Sequence, residues 1–303
     1  MSAKLEDLYP TRQNNQFTIM KREDPIIWKS PEFNVHALNK EEIDFFEKNG
    51  YLFFKELFSK SEIQQLYDEI EKMVNDKDAR KRPQYIIEPH GKKVRSIFEI
   101  HKNNELFKRL ASDRRIVNVA RQILASEVYV HQSRINLKSG FEGKEFYWHS
   151  DFETWHAEDG LPRMRTVSCS ISLTENYVFN GPLMVIPGSH KYFVSCSGET
   201  PDEHYKESLK KQEIGTPDHH SLEKLVEKSR IEIPTGPPGS ALFFDCNIMH
   251  GSGGNMTPYP RSNVFFVYNS IHNKPARPFA AKKLRPDYIG AKNTTPILPG
   301  SLN

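Results

Sequence analysis

The chain has 303 residues and a formal net charge of +3, from 42 Lys and Arg against 39 Asp and Glu, too near balance to suggest a nucleic-acid or membrane surface. Hydrophobic residues make up 37% and charged residues 27%, with 19 Phe, 12 Tyr and 3 Trp, so a folded core is expected; 16 Gly and 20 Pro exclude a collagen-like or low-complexity chain. No apolar run approaches the ~20 residues that span a bilayer, residues 1–24 lack the apolar stretch of a signal peptide, and Cys169, Cys196 and Cys246 are too widely spaced for a disulfide framework or a CxxC zinc site. The expectation is a soluble, cytoplasmic protein.

Residues 1–38 are polar and interrupted by Pro10, Pro25 and Pro31, which reads as an extended arm on the body. Asn39 is placed to cap a helix over 41–48 that Asn49-Gly50 ends, and residues 51–54 form a short strand. Ser59 opens a second helix with Ile63, Leu66, Ile70 and Met73 along one face, a stripe that reads as core packing rather than a cofactor contact. From residue 127 the pattern changes to short β-rich segments at 127–137, 145–149, 164–173, 183–186, 231–233, 240–244 and 261–270. Regular strands without intervening helices predict a mainly β fold: a double-stranded β-helix (jelly roll, cupin-like) with N-terminal helices packed on the outside. One domain over 1–303 is expected, with an arm and helical part at 1–126, a jelly-roll core at 127–275 and a C-terminal tail at 276–303. Residues 191–230 read as an insertion that breaks the β pattern, and the polar stretch 198–221 is open to two readings, an ordered lid or a disordered segment.

The densest chemistry lies at 146–156. His149 and Asp151 form a His-x-Asp pair which, at the end of a strand, would point to one side. A third ligand must come from elsewhere, and His250, where an apolar strand runs into a glycine-rich turn, is the best candidate. Two imidazoles and a carboxylate on one face of a metal, with the opposite face open, are the ligand set of non-haem Fe(II) oxygenases. Eleven residues further, Arg261 starts an apolar strand and is suited to grip a carboxylate. Together these four describe a site for Fe(II) and 2-oxoglutarate. His156, His190, His219 and His220 compete as ligands, His190 most directly. Upstream, Gln132, Arg134 and Asn136 alternate along a strand and share one face, which is either solvated or a polar pocket.

The run FYWHSDFETWHAEDGLPRMR at 146–165 closely resembles the signature of the ectoine hydroxylases, within the phytanoyl-CoA dioxygenase-like superfamily. The likeness extends to DLYPTR at 7–12, NGYLFF at 49–54, NGPLMVIPGSHK at 180–191 and FFDCNIMHGSG at 243–253, with Cys246 standing where a small residue such as Ser is expected. It implies that His149, Asp151 and His250 hold iron, and that Arg261 and Asn136 hold 2-oxoglutarate with Phe146 and Ser252 lining its pocket. It further implies that Gln132, Arg134, Thr154, Trp155, Phe244 and Phe265 surround ectoine. The activity implied is the 2-oxoglutarate- and O2-dependent hydroxylation of ectoine to 5-hydroxyectoine, with release of succinate and CO2, a step in making a compatible solute for stress. A related hydroxylase of another small polar metabolite, such as an amino acid, is the alternative. The only partner expected is the small-molecule substrate, and a homodimer is left open.

Overall fold

The computed structural model describes residues 6–13, 17–88, 93–209 and 213–302. The arm carries strand β1 (Thr18–Lys21), followed by α1 (Lys40–Asn49), β2 (Tyr51–Phe54) and α2 (Lys60–Asn75). Next come β3 (Tyr85–Ile87), β4 (Val94–Phe98) and three consecutive helices, α3 (Ile100–Asn103), α4 (Glu105–Ser112) and α5 (Arg114–Leu124). The β-rich part contains β5 (Val128–Lys138), β6 (Phe146–His149), α6 (Asp151–Asp159), β7 (Thr166–Ser172) and β8 (Leu183–Val185). It continues with β9 (Tyr192–Ser195), α7 (Tyr205–Ser208), α8 (His219–Glu227), β10 (Ala241–Asp245), β11 (His250–Ser252) and β12 (Arg261–Ser270).

Local chemistry sets several of these boundaries. Asn39 and Ser59 both build full capping boxes, with Glu42 and Glu62 reaching back to the cap backbone, so α1 and α2 start where the polar side chains satisfy their first free N–H groups. Gly50 ends α1 in the left-handed region at φ 81°, and a Cβ there would come within 2.4 Å of the His190 ring. That close approach makes His190 a packing partner of the helix end, and its Nε2 faces the Glu47 carbonyl at 3.2 Å.

The strands form a seven-stranded antiparallel sheet in the order β2-β10-β7-β12-β5-β4-β3 and a three-stranded sheet in the order β6-β11-β8. The two sheets make the expected double-stranded β-helix. Along each strand of the large sheet, side chains alternate between two fates. Val167, Cys169, Ile171, Phe243, Val264, Phe266 and Tyr268 join Ile63, Leu66, Phe107, Ile116 and Ala120 of the helices in the main core, each fully buried Phe or Leu contributing roughly 1.5–3 kcal/mol. The opposite face looks toward the small sheet and is mostly polar.

Four expectations need correction. The strand placed at 231–233 is only an isolated bridge, Val185 to Glu232, because Pro234 and Pro237 follow at once and cannot donate to a ladder. The insertion 191–230 does not break the β pattern throughout: it contains β9, which pairs with β1 of the arm from Thr18↔Ser195 to Lys21↔Tyr192, and then α7 and α8. Polar composition hid β9 because its partner lies some 170 residues away in sequence. The third is residue 151: the chain does not stay extended there but enters α6. The fourth is the part at 1–126, expected to be an arm, helices and one short strand: besides β1 of the arm it also holds β3 and β4, which with β2 extend the large sheet. Within 198–221, residues 210–212 lie outside the described residues, while 205–208 and 219–221 are helical, the latter being the first turn of α8.

Candidate active site

Antiparallel pairing of β6 with β11 sets His250 directly opposite His149, with ring centroids 4.2 Å apart. The chain then passes through extended Ser150 and turns into α6, whose first residue is Asp151. The shared side of His149 and Asp151 therefore comes from a strand-to-helix corner, not from strand alternation. Asp151 lies 3.6 Å from Nε2 of His149 through Oδ1 and 3.9 Å from Nε2 of His250 through Oδ2. The three donor atoms fall within 4.8 Å of one another, and this is the one such group among the described residues.

Each histidine is oriented by its own chain. Nδ1 of His149 donates to the Tyr147 carbonyl at 2.8 Å, and Nδ1 of His250 donates to the Ile248 carbonyl at 3.0 Å. With the proton on Nδ1, both Nε2 lone pairs converge on the Asp151 carboxylate, the tautomer a metal ligand needs. Burial alone would raise the Asp151 carboxyl, but His250, His149 and Arg134 outweigh it and hold the group well below the usual carboxylate range. Burial, then the neighbouring His149, pushes His250 down to about 4, so it is a neutral donor at neutral pH. Two imidazoles and one carboxylate fit an Fe(II) ion that keeps half its coordination sphere for other ligands.

Beside the triad is a cavity that opens to solvent. Of the residues expected at the site, Arg134, Asn136, Phe146, His149, His250, Ser252, Arg261 and Phe265 line it. The β5–β12 register explains the grouping: Asn136 faces Asn263, Arg134 faces Phe265 and Lys138 faces Arg261 across the ladder. The Arg134 guanidinium lies 5.0 Å from the Phe265 ring centroid. Arg261 donates from Nη1 to the Gly181 carbonyl at 2.9 Å, while its Nε and that of Arg134 are buried with no hydrogen-bond partner. Neither guanidinium forms an ion pair with a carboxylate among the described residues. Burial lowers Arg261 to about 10, with a further push from Arg134. Buried cations lacking a protein counter-ion favour an anionic ligand.

The remaining expected residues, Gln132, Thr154, Trp155 and Phe244, are not on its wall. Phe244 packs its ring 5.1 Å from the His250 ring. Gln132 accepts from Nη1 of Arg134 at 3.2 Å. Thr154 is half-buried on α6, and Trp155 packs in a second apolar cluster with Tyr9, Phe152 and Leu161. The rival histidines are engaged elsewhere: His156 bonds the Leu161 carbonyl at 2.8 Å and Asp7 at 2.9 Å, His190 supports Gly50, and His219 and His220 open α8. Lys138 was not anticipated. Its Nζ donates to Ser252 Oγ at 2.9 Å and to the Gly253 carbonyl at 2.7 Å, and burial, then Arg261, pushes it down to about 7. The period of two that groups Gln132, Arg134 and Asn136 points to Lys138 as the next member, so the signal was present in the sequence.

The phytanoyl-CoA dioxygenase (PhyH) family model matches residues 46–263. The ectoine dioxygenase of Streptomyces coelicolor is 49% identical over 296 residues, covering 98% of each chain. That of Stutzerimonas stutzeri is 51% identical over 286 residues, covering 94% of each. Among solved structures, EctD from S. alaskensis with 2-oxoglutarate and 5-hydroxyectoine superimposes with a TM-score of 0.87 at 41% identity, over 98% of this chain and all (100%) of that one. The carbocyclase SnoK from nogalamycin biosynthesis shares the fold at 18% identity and a TM-score of 0.61, over 80% of this chain and 88% of its own. Triad, cavity and full-length similarity converge on one conclusion: this chain belongs to the phytanoyl-CoA dioxygenase family.

Proposed function

We propose that this protein hydroxylates ectoine to 5-hydroxyectoine, consuming 2-oxoglutarate and O2 and releasing succinate and CO2. The observation that carries the reading is the meeting of His149, Asp151 and His250 beside an unpaired buried arginine in one cavity, in a chain about half identical to ectoine dioxygenases along almost its whole length. When bound, Fe(II) would supply activation of O2, which is the oxidant for hydroxylating the unactivated C–H bond, while 2-oxoglutarate contributes two electrons through its decarboxylation to succinate.

His149, Asp151 and His250 would hold the iron, their Nε2 and carboxylate atoms pre-aimed by the Nδ1 bonds to backbone carbonyls. Arg261 would bind the far carboxylate of 2-oxoglutarate, with Ser252, Asn136 and Phe146 shaping that end of the cavity. Arg134 would take the carboxylate of ectoine, with Gln132 holding the guanidinium from behind. Phe265 would offer its face to the amidinium, a contact worth roughly 0.5–2 kcal/mol, while Phe244, packed against His250, with Thr154 and Trp155 would back that end of the pocket. The aromatic walls also exclude water from the reacting centre. The Asp151 carboxylate occupies a position that, in a smaller residue, would be left to a halide, which favours hydroxylation over halogenation.

The test is anaerobic reconstitution with Fe(II), then O2 uptake and succinate release measured with ectoine, proline or no added substrate. Tight coupling of succinate to 5-hydroxyectoine with ectoine alone is the expected outcome. Coupled turnover of proline or another amino acid instead would replace the substrate, and iron binding without 2-oxoglutarate consumption would overturn the reading.

A further inference from the structure

The polar layer behind the substrate residues joins Asp159, inside the 146–165 run, to segments outside any motif. Strand β5 carries an extra residue where its register with β12 slips between Val267 and Tyr268, and that residue is His131. Such a bulge re-aims side chains next to a site. Here it turns Nε2 of His131 onto Asp159 Oδ2 at 3.0 Å. Asp159 is the last residue of α6, the helix that begins with Asp151. Its two oxygens also accept from Arg285, Nε at 2.7 Å and Nη2 at 2.5 Å, a bidentate pair buried on both sides.

Arg285 in turn fixes the tight turn that follows it. The N–H groups of Ile289 and Gly290 both bond the Pro286 carbonyl, and a Cβ on Gly290 would lie 2.7 Å from the Asp159 carboxylate. Only glycine lets the turn sit this close. The turn presents the Ile289 carbonyl to Gln132, whose Nε2 donates to it at 2.7 Å, while the Ala291 N–H bonds the His131 carbonyl at 2.8 Å. An amide has one donor end and one acceptor end. With its NH2 committed to Ile289, Gln132 must turn Oε1 to Arg134, whose Nη1 it accepts at 3.2 Å. Removing that carbonyl frees the amide to rotate and set NH2 against the guanidinium, donor against donor.

We infer that Arg285 is a positioning residue for substrate recognition: by pinning the 286–291 turn to Asp159 it fixes the amide of Gln132 and thereby the aim of Arg134 into the cavity. This rests on the reading of Arg134 and Gln132 as the ectoine-binding pair. The C-terminal segment is thus a working part of the pocket, not a surface tail. The 2-oxoglutarate residues Arg261 and Ser252 lie outside this chain of contacts, so the effect is selective.

The test compares wild type with Arg285→Met/Asp159→Asn, which removes both buried charges together, and with Arg285→Lys, which keeps the charge but loses the fork. The measurements are KM for ectoine, KM for 2-oxoglutarate, and the calorimetric Kd of ectoine on enzyme loaded anaerobically with Mn(II) and 2-oxoglutarate. In the double variant, KM and Kd for ectoine should rise about tenfold, the worth of one well-made hydrogen bond, with KM for 2-oxoglutarate within about twofold of wild type and the lysine variant in between. An unchanged ectoine Kd in either folded variant, or a parallel rise in both KM values, would overturn the inference. Wild-type enzyme that binds 2-oxoglutarate but no ectoine would overturn the functional reading, and with it the part of this inference that names ectoine.

Discussion

The same strands of the large sheet present two unlike faces. On β12, Val264, Phe266 and Tyr268 point outward into a core shared with α2, α4 and α5, while Arg261, Asn263 and Phe265 point inward to the cavity. On β5 the outward residues include Ile135 and Val130, the inward ones Arg134, Asn136 and Lys138. The outer face is satisfied by itself, since its apolar surface is buried against helices. The inner face is not: two guanidiniums and an ammonium lie together there, and Nε of each guanidinium has no partner. Stability is therefore concentrated on one side of a strand and ligand affinity on the other, one residue apart.

Substitutions on the two faces should separate these properties. The largest effect is expected at the metal corner: His250→Ala should abolish iron binding and turnover, whereas His190→Ala should leave iron near one per chain by elemental analysis, because His190 serves the end of α1. Exchange of those two results would relocate the metal site. Phe266→Ala on the outer face should cost about 3–5 kcal/mol in denaturant unfolding, with kcat per folded molecule nearly unchanged. A fall in kcat without loss of stability would break the division of labour.

Arg261→Ala on the inner face should remove about 1.5–3 kcal/mol of charge-assisted binding, raising KM for 2-oxoglutarate about tenfold or more. Apo-protein stability should not fall, since an unpaired buried charge is removed. The smallest effect concerns Lys138, whose ammonium is held down to about 7 from the ordinary lysine value of 10.5. Between those values the unfolded chain binds more protons at this residue than the folded one, so its contribution to stability rises with pH. The penalty is complete below pH ~7 and relieved toward pH ~10. Lys138→Met should therefore stabilise the apo protein most at low pH, with the gap in Tm to wild type closing as pH rises; a gap independent of pH would place the ammonium in water.

Much of this arrangement was legible before any coordinates. The caps at Asn39 and Ser59, the strand at 51–54, β12 and the fold class follow from side-chain chemistry and alternation, which act over a few residues. Misreadings arose where distant segments decide. Strand β9 exists because β1 pairs with it, and α6 begins at Asp151 although its hydrophobic pattern has almost no helical face, being buried nearly all round. Lys138 was readable from period two but masked by its usual solvent-facing role.

What the sequence determined alone was the chemical inventory: two histidines, an aspartate and an arginine, on a chain patterned for a jelly roll. Only the tertiary structure decided which atoms of that inventory meet. The β6–β11 pairing sets His149 against His250 from a hundred residues away, and the turn at 286–291 reaches back to Gln132, because ladder register and close packing are properties of two segments together.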